Sequence, residues 1–397
     1  MAPRSFTLAT YSNLGLPPNS YIYKITSTSQ RQDPLTYSRT DELAVISSDD
    51  SLRFLDPETL NALPNGVVKD VNEKVTCLER VNDSSSHFVA TAGRDGLVKL
   101  RDKRSREEVM LIQSPHKLIS SLVCDYQKNF VAAGIENPDD GPGVSPVYVW
   151  DTRNVQRPLR EFVESHTDTM TDLQLHPTLP TLLLSASTDG LINIFDTSKA
   201  DEEDALYQVI NHRSAVARAG FMYPTTDVYA MGTDETLSFY ALQNQEEEKE
   251  EPAPKAFGDV REPLGCDYLA KMHWMGGEAY IAAGKHRTRS FELFPVQKGQ
   301  VGPLDYTYNS ARSIRLPGAH GEEIVRDLFS DIHNHTTYTC GEDGFVRAWK
   351  SQSDDTMEVD EADELKQKSQ DKKERRKEKK DKQRGDKEGK KGRYKPY

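Results

Sequence analysis

Long apolar runs are missing from this 397-residue chain. None approaches the ~20 residues that a membrane helix needs, and residues 1–10 hold no signal-peptide core, so a soluble intracellular protein without membrane contact is expected. Cysteine is scarce. Cys77, Cys124, Cys266 and Cys340 lie far apart with no Cys-x-x-Cys pair, which argues against a disulfide framework or a zinc ribbon and for buried thiols in a reducing compartment. Catalytic signatures are lacking too: there is no Gly-rich phosphate loop, no Gly-x-Ser-x-Gly turn and no His-Glu-x-x-His. His333-Asn-His335 is the only close histidine pair; it has no third ligand and sits where a solvent-facing turn between strands is expected. With no nucleophile–base constellation, the chain reads as having no enzymatic activity, cofactor or metal.

What is present is a repeat. His166, Ser185, Asp189-Gly190 and Phe195-Asp196 recur 154 residues later as His320, Thr339, Asp343-Gly344 and Trp349. In both copies the histidine precedes the final aromatic by 29 residues and the turn aspartate precedes it by six. This is the geometry of a WD-type repeat. An imidazole before the first strand, a hydroxyl on the second, an aspartate in the tight turn and an indole on the third form one structural tetrad of hydrogen bonds. The copy ending at Phe195 lacks the indole donor. His212 also falls at the start of a repeat, so these histidines read as structural.

Seven alternating strands end the units, at Leu55, Arg101, Trp150, Phe195, Tyr240, Phe294 and Trp349, with steps of 46, 49, 45, 45, 54 and 55 residues. A period near 40–45 with insertions marks four-stranded propeller blades. The unit ending at Phe294 has no turn aspartate and is counted from spacing and alternation. Cys77 and Cys124 read as matching points on the first strands of consecutive blades. The expected fold is all-β, a seven-bladed WD-repeat propeller over residues 1–350. After Trp349-Lys350 nothing reads as a strand, whereas residues 5–11 do. They are expected to pair with the Trp349 strand and remove its open edge.

The net charge of −12 conceals two opposed parts. Residues 366–397 hold 16 Lys/Arg and 6 Asp/Glu, or +10, which leaves −22 on the rest. The seam is abrupt, since residues 354–364 contain seven acids and no base. Residues 351–365 therefore read as an acidic linker and 366–397 as a basic disordered tail. Lys372, Lys373, Arg375, Arg376, Lys377, Lys379 and Lys380 form its densest cluster, a candidate nuclear-localisation signal. Two further segments fall outside the blade pattern. Residues 245–254, charged and proline-bearing, read as a loop between the fifth and sixth blades. Residues 135–146 replace the tight turn of the third blade with a Gly/Pro-rich loop on one face.

Residues 164–177, then Ser185-Ala-Ser-Thr-Asp-Gly-Leu-Ile-Asn-Ile-Phe-Asp196 and Asp201-Glu-Glu-Asp-Ala-Leu206, go beyond a generic repeat. They resemble the WD repeat-containing protein 89 family, in which Phe-Asp and a Glu-Glu-Asp-Ala-Leu run mark the same blade. Asp259-Val-Arg-Glu262 before Asp267-Tyr-Leu269 looks like a second stretch of that family. The resemblance spans roughly residues 5–350 and implies a propeller with no enzymatic activity; the role of the long Lys-rich tail is not carried over.

Three functions fit these residues. The first is a nuclear or nucleolar scaffold, monomeric within a larger complex, whose acidic body attracts basic protein partners, as in ribosome assembly or chromatin. The second is a substrate receptor of a cullin-RING ubiquitin ligase. Asp102 with Arg104 and Asp151 with Arg153 place Asp-x-Arg at one point of consecutive blades, similar to the boxes of adaptor-binding propellers, although Arg101 stands where the first box needs Trp. The third is RNA contact through the tail, with steep salt dependence.

Overall fold

The computed structural model describes residues 4–29, 39–81, 87–125, 127–138, 141–243 and 251–351. Residues 1–351 form one compact unit. Within it, seven antiparallel blades follow one another, each of four strands except the sixth, whose outer position is shared by Tyr306–Tyr308 and Ile314–Pro317. Their inner strands are Ile22–Ser27, Val75–Arg80, Ile119–Asp125, Met170–Leu175, Val216–Phe221, Tyr268–Met275 and Val325–Asp331. In blades 1 to 5 the chain then meanders outward through three more strands. In blade 4 these are Leu182–Ser187, Leu191–Asp196 and Leu206–Asn211.

The ring closes through packing. Seven hydrophobic clusters occur, and each joins one blade to the next. Phe54 and Ile46 meet Leu78 and Val89 between blades 1 and 2. Tyr229 and Phe239 meet Met272 and Ile281 between blades 5 and 6. Ile22 and Val45 meet Tyr338 and Cys340 between blades 1 and 7. A blade has two apolar faces and cannot bury both alone, so it is stable only between neighbours.

The last blade takes its outer strand from the other end of the chain. Arg4–Ser12 pairs antiparallel with Val346–Ser351, with Phe6 opposite Ser351 and Leu8 opposite Trp349. The expected closure is therefore seen, with one addition. Arg4 and Ser5 also pair in parallel with Ile314 and Arg315 of blade 6, so blades 6 and 7 share one continuous nine-stranded sheet. Phe6 is buried beside Phe291, Leu316 and Trp349 in the cluster between those blades.

Two sequence expectations are corrected. The insertion at 245–254 lies within blade 5, because Lys255–Asp259 returns to pair with Thr236–Tyr240 as that blade's outer strand; residues 244–250 lie outside the described set. The extra length that seemed to separate two blades is a detour before an outer strand that carries little apolar signal. Cys77 and Cys124 are both buried in the cluster between blades 2 and 3, but they are not at matching points. Cys77 lies level with Ser121, since each follows the register shift of its strand. Cys124 sits three residues further along. The acidic linker and basic tail at 352–397 lie outside the described residues.

One device recurs in all seven inner strands. Each shifts register near its start, after the first paired residue in six of them, as between Ile22 and Lys24, Val216 and Arg218, or Val325 and Asp327, and after the second in blade 6, between Leu269 and Lys271. A bulge there sharpens the twist and re-aims the next side chain. The residues after the bulges are Lys24, Cys77, Ser121, Asp172, Arg218, Lys271 and Asp327, and all seven line a central channel of about 1290 Å³.

Candidate protein-interaction surfaces

The tetrad residues lie together in both predicted blades. In blade 7, Trp349 Nε1 donates to Thr339 Oγ1 at 3.0 Å, that hydroxyl reaches His320 Nε2 at 2.8 Å, and His320 Nδ1 meets Asp343 at 2.7 Å. The consistent proton assignment has Thr339 donating to Nε2 and Nδ1–H donating to the carboxylate. Burial pushes the His320 imidazole toward the neutral form, outweighing the opposing pull of Asp343. Gly344 completes the turn at φ +74°, where a Cβ would stand 2.6 Å from the Ser20 carbonyl oxygen; only glycine fits.

Blade 4 makes the same chain without the indole. Ser185 Oγ lies 2.8 Å from His166 Nε2, and His166 Nδ1 lies 3.0 Å from Asp189. Burial raises the Asp189 carboxyl, yet the His166 hydrogen bond leaves it net below its ordinary value. In place of the missing donor, Phe195 stacks on Phe162 with centroids 4.1 Å apart and planes within 5°. Asn193 Nδ2 approaches His166 Nε2 at 3.1 Å. His212 of blade 5 grips other partners, Thr236 Oγ1 at 3.0 Å and the Tyr240 hydroxyl at 3.1 Å. These side chains brace the blades and present nothing to a ligand.

The Asp201-Glu-Glu-Asp-Ala-Leu206 run has a structural task that no spacing revealed. Glu202 accepts hydrogen bonds from the Val163 and Glu164 amides, at 2.6 and 3.1 Å, and from the Ser165 hydroxyl. It thereby clasps the segment leading into His166. Ala205 is wholly buried beneath it. Asp201, Glu203 and Asp204, with Glu161 and Glu164, remain exposed, and among the described residues none of the five has an ion-pair partner.

Both Asp-x-Arg boxes are closed on themselves. Asp102 accepts from the Arg104 amide at 2.8 Å and is chelated by its guanidinium through Nε at 3.2 Å and Nη2 at 2.9 Å. That guanidinium pulls the Asp102 carboxyl down to about 2. Asp151 and Arg153 repeat the arrangement, with Nε at 2.9 Å. The arginine side chains are 65% and 73% exposed. The same aspartate cap closes turns that have no arginine, at Asp56 to Thr59 and at Asp196 to Ser198. The geometry is that of a turn cap.

His333 and His335 lie in the turn between Val325–Asp331 and Thr336–Gly341. Among the described residues no group of three metal-binding side chains forms. One pairing escaped the sequence: His273 Nε2 lies 2.8 Å from Ser330 Oγ across blades 6 and 7, by the channel. Ser330 is also bonded to Thr337 at 2.7 Å, and no carboxylate is hydrogen-bonded to His273 among the described residues. Burial drives His273 down to about 3, so it is held neutral.

Residues 156–196, which end with the third strand of blade 4, match the WD domain, G-beta repeat family. An uncharacterized WD repeat-containing protein of Saccharomyces cerevisiae is 34% identical over 273 residues, covering 68% of this chain and 65% of its own length. WD repeat-containing protein GTS1 of Arabidopsis thaliana is 28% identical over 330 residues, 79% of each chain. The WD repeat-containing protein 89 homolog of Dictyostelium discoideum is 25% identical over 215 residues, 52% of this chain and 56% of its own. Together these matches support a WD-repeat protein of the WD repeat-containing protein 89 family. Its WD-repeat relatives suggest a protein-interaction scaffold, and the chain spans just under two thirds of the length of the first of them. Its seven blades offer two faces, a rim of outer strands and a channel for that purpose.

Excluding the seven acids of 354–364, residues 1–350 carry −15. The channel differs in sign. Eight Lys/Arg and five Asp/Glu line it, an excess of three positive charges, two of which, on Arg94 and Arg326, are met by Glu136 and Glu342 outside the lining.

Proposed function

We propose that this WD-repeat protein is a non-catalytic scaffold of the nucleus, concentrated in the nucleolus, that holds basic protein partners such as ribosomal proteins or their assembly factors. The observation that carries the reading is the opposition of charge: a propeller at −15 and a tail at +10 in one chain. A surface of one sign steers partners of the other toward it and raises their rate of capture. The unpaired acids around Glu203 on blade 4 are an example of that surface. The cluster from Lys372 to Lys380 would supply import.

Affinity purification of the full chain from nuclear extract at low salt, then graded salt, tests the idea. Basic pre-ribosomal or chromatin proteins should be retained and then elute below about 0.3 M salt, as screening shortens the reach of surface charge. A purification empty of such proteins would overturn it. Substituting the Lys372–Lys380 cluster with glutamine should leave the protein in the cytoplasm. Truncation after Ser351 separates the RNA alternative, because undiminished RNA binding would remove the tail as its source. For the ligase alternative, Arg104→Ala with Arg153→Ala should abolish adaptor co-precipitation while the fold survives.

A further inference from the structure

Around the ring of residues that follow the seven bulges, most charges are matched. Lys271 is paired with Asp327 at 2.6 Å, and Lys24 with Glu79. Arg218 is the exception among the cations of that ring. It is the one exposed residue of an inner strand that is otherwise buried or half-buried, and it lines the channel. Among the described residues it has no hydrogen-bond or ion-pair partner. Asp172, on the adjoining blade at the same level, likewise has none, although its carboxylate and the Arg218 guanidinium attract each other through space.

A guanidinium offers five N–H groups in a planar fork that matches a carboxylate edge to edge. Structural arginines in this protein take that match from within, as Arg104 does from Asp102. Arg218 does not, and it projects into a space with room for a chain segment, in a wall whose excess charge is opposite to that of the propeller as a whole. We propose that the channel is a receptor for an acidic peptide segment of a partner protein, one of whose carboxylates is bound by Arg218. A peptide suits the wall better than a compact polyphosphate. Asp172, Asp327 and Glu79 share the lining, and they would repel a dense cluster of negative charge. A peptide brings its carboxylates singly and neutral amides between them.

This site is separate from the basic-partner surface and of opposite preference. The test is fluorescence anisotropy of the full chain with a labelled octaglutamate peptide, beside a Gly-Ser peptide of equal length. Octaglutamate should bind, weaken with salt, and outcompete the neutral peptide. Arg218→Gln should weaken it by about tenfold, the value of a charge-assisted bidentate contact, at an unchanged melting temperature. Asp172→Asn, which removes the adjacent like charge, should strengthen it by about threefold. The second variant decides the matter if the first fails to fold. Affinity unmoved by Arg218→Gln in a folded protein, unmoved or weakened by Asp172→Asn, or absent in the wild type would overturn the proposal. Tripolyphosphate binding more tightly than octaglutamate would overturn the choice of ligand. Retention of basic nuclear proteins by Arg218→Gln is expected throughout, so failure here leaves the scaffold reading standing.

Discussion

Blades 4 and 7 carry the same histidine, hydroxyl and aspartate at the same spacing, yet they are completed differently. Blade 7 ends its chain of hydrogen bonds on the Trp349 indole and borrows its outer strand from residues more than 300 positions away. Blade 4 ends on a phenylalanine stack and takes its outer strand, Leu206–Asn211, from the next stretch of chain. Blade 3 shows what happens when the tryptophan comes without its partner. Trp150 is fully buried, but Ala133 stands where Thr339 stands in blade 7, and the Trp150 indole N–H has no acceptor. An aromatic at the end of the third strand is therefore buried in blades 3, 4 and 7 whether or not it finds a hydrogen-bond partner. The indole adds stability only where a hydroxyl waits for it.

The largest test of this contrast is deletion of residues 1–12. Blade 7 would lose the cover of Val346–Ser351, blade 6 its parallel link, and the core the Phe6 ring. Burial of a phenylalanine and the lost strand pairing together amount to about 5 kcal/mol. A melting temperature lower by about 10 °C is expected by calorimetry; an unchanged value would show that the closure contributes nothing.

Acid should come next. His273 and His176 are held neutral by burial, down to about 3 and about 4, and His212 and His320 are lowered as well. Above the unfolded pKa of about 6.5 neither state binds the proton, so stability is flat there. Below it the unfolded chain takes up protons that the folded one refuses, and stability is lost as pH falls. At pH 5 the loss should reach a few kcal/mol, read as a falling urea midpoint. His273→Gln should flatten that slope; a slope unaffected by it would remove the channel histidine as a cause.

Reciprocal exchange of the two aromatics sharpens the comparison further. Trp349→Phe leaves the Thr339 hydroxyl short of a buried donor and should cost about 1–3 kcal/mol in chemical denaturation. Phe195→Trp offers Ser185 the missing indole but must fit it against the stacked Phe162 ring, so a cost of about 1–3 kcal/mol is expected there too. A stabilised Phe195→Trp protein would mean that the stack is loose and the polar chain alone sets the blade.

The smallest effect belongs to blade 3. Trp150→Phe removes an unsatisfied N–H along with some packed volume, and the two changes oppose each other. A net change within about 1 kcal/mol is expected. If it cost as much as Trp349→Phe, the distinction between partnered and orphan indoles would collapse.

Much of this could be read from residues alone because it depends on local spacing. The distance from His166 to Ser185 and Asp189 is set by one strand hairpin, so a repeated interval reports a repeated hydrogen-bond chain. The same holds for the alternating third strands that number the blades. The outer strand Lys255–Asp259, with the sequence Lys-Ala-Phe-Gly-Asp, is too short and has too few apolar residues to show alternation, so the segment before it reads as lying between blades and not within blade 5. The task of Glu202 escaped for another reason. An acid that accepts backbone amides 38 and 39 residues away leaves no trace in composition. The Ser330–His273 pair likewise joins two blades whose sequences share no motif.

Sequence by itself determined that seven similar sheets would form, because strand alternation and tight turns are written within each 45-residue unit. Tertiary structure alone decided what stands around the axis. The bulge that turns Lys24, Asp172, Arg218, Lys271 and Asp327 toward one channel arises from pairing between strands, and their mutual charges exist only once the ring has closed. Matching of charge across blades is a property of distance in space, which no spacing along the chain encodes.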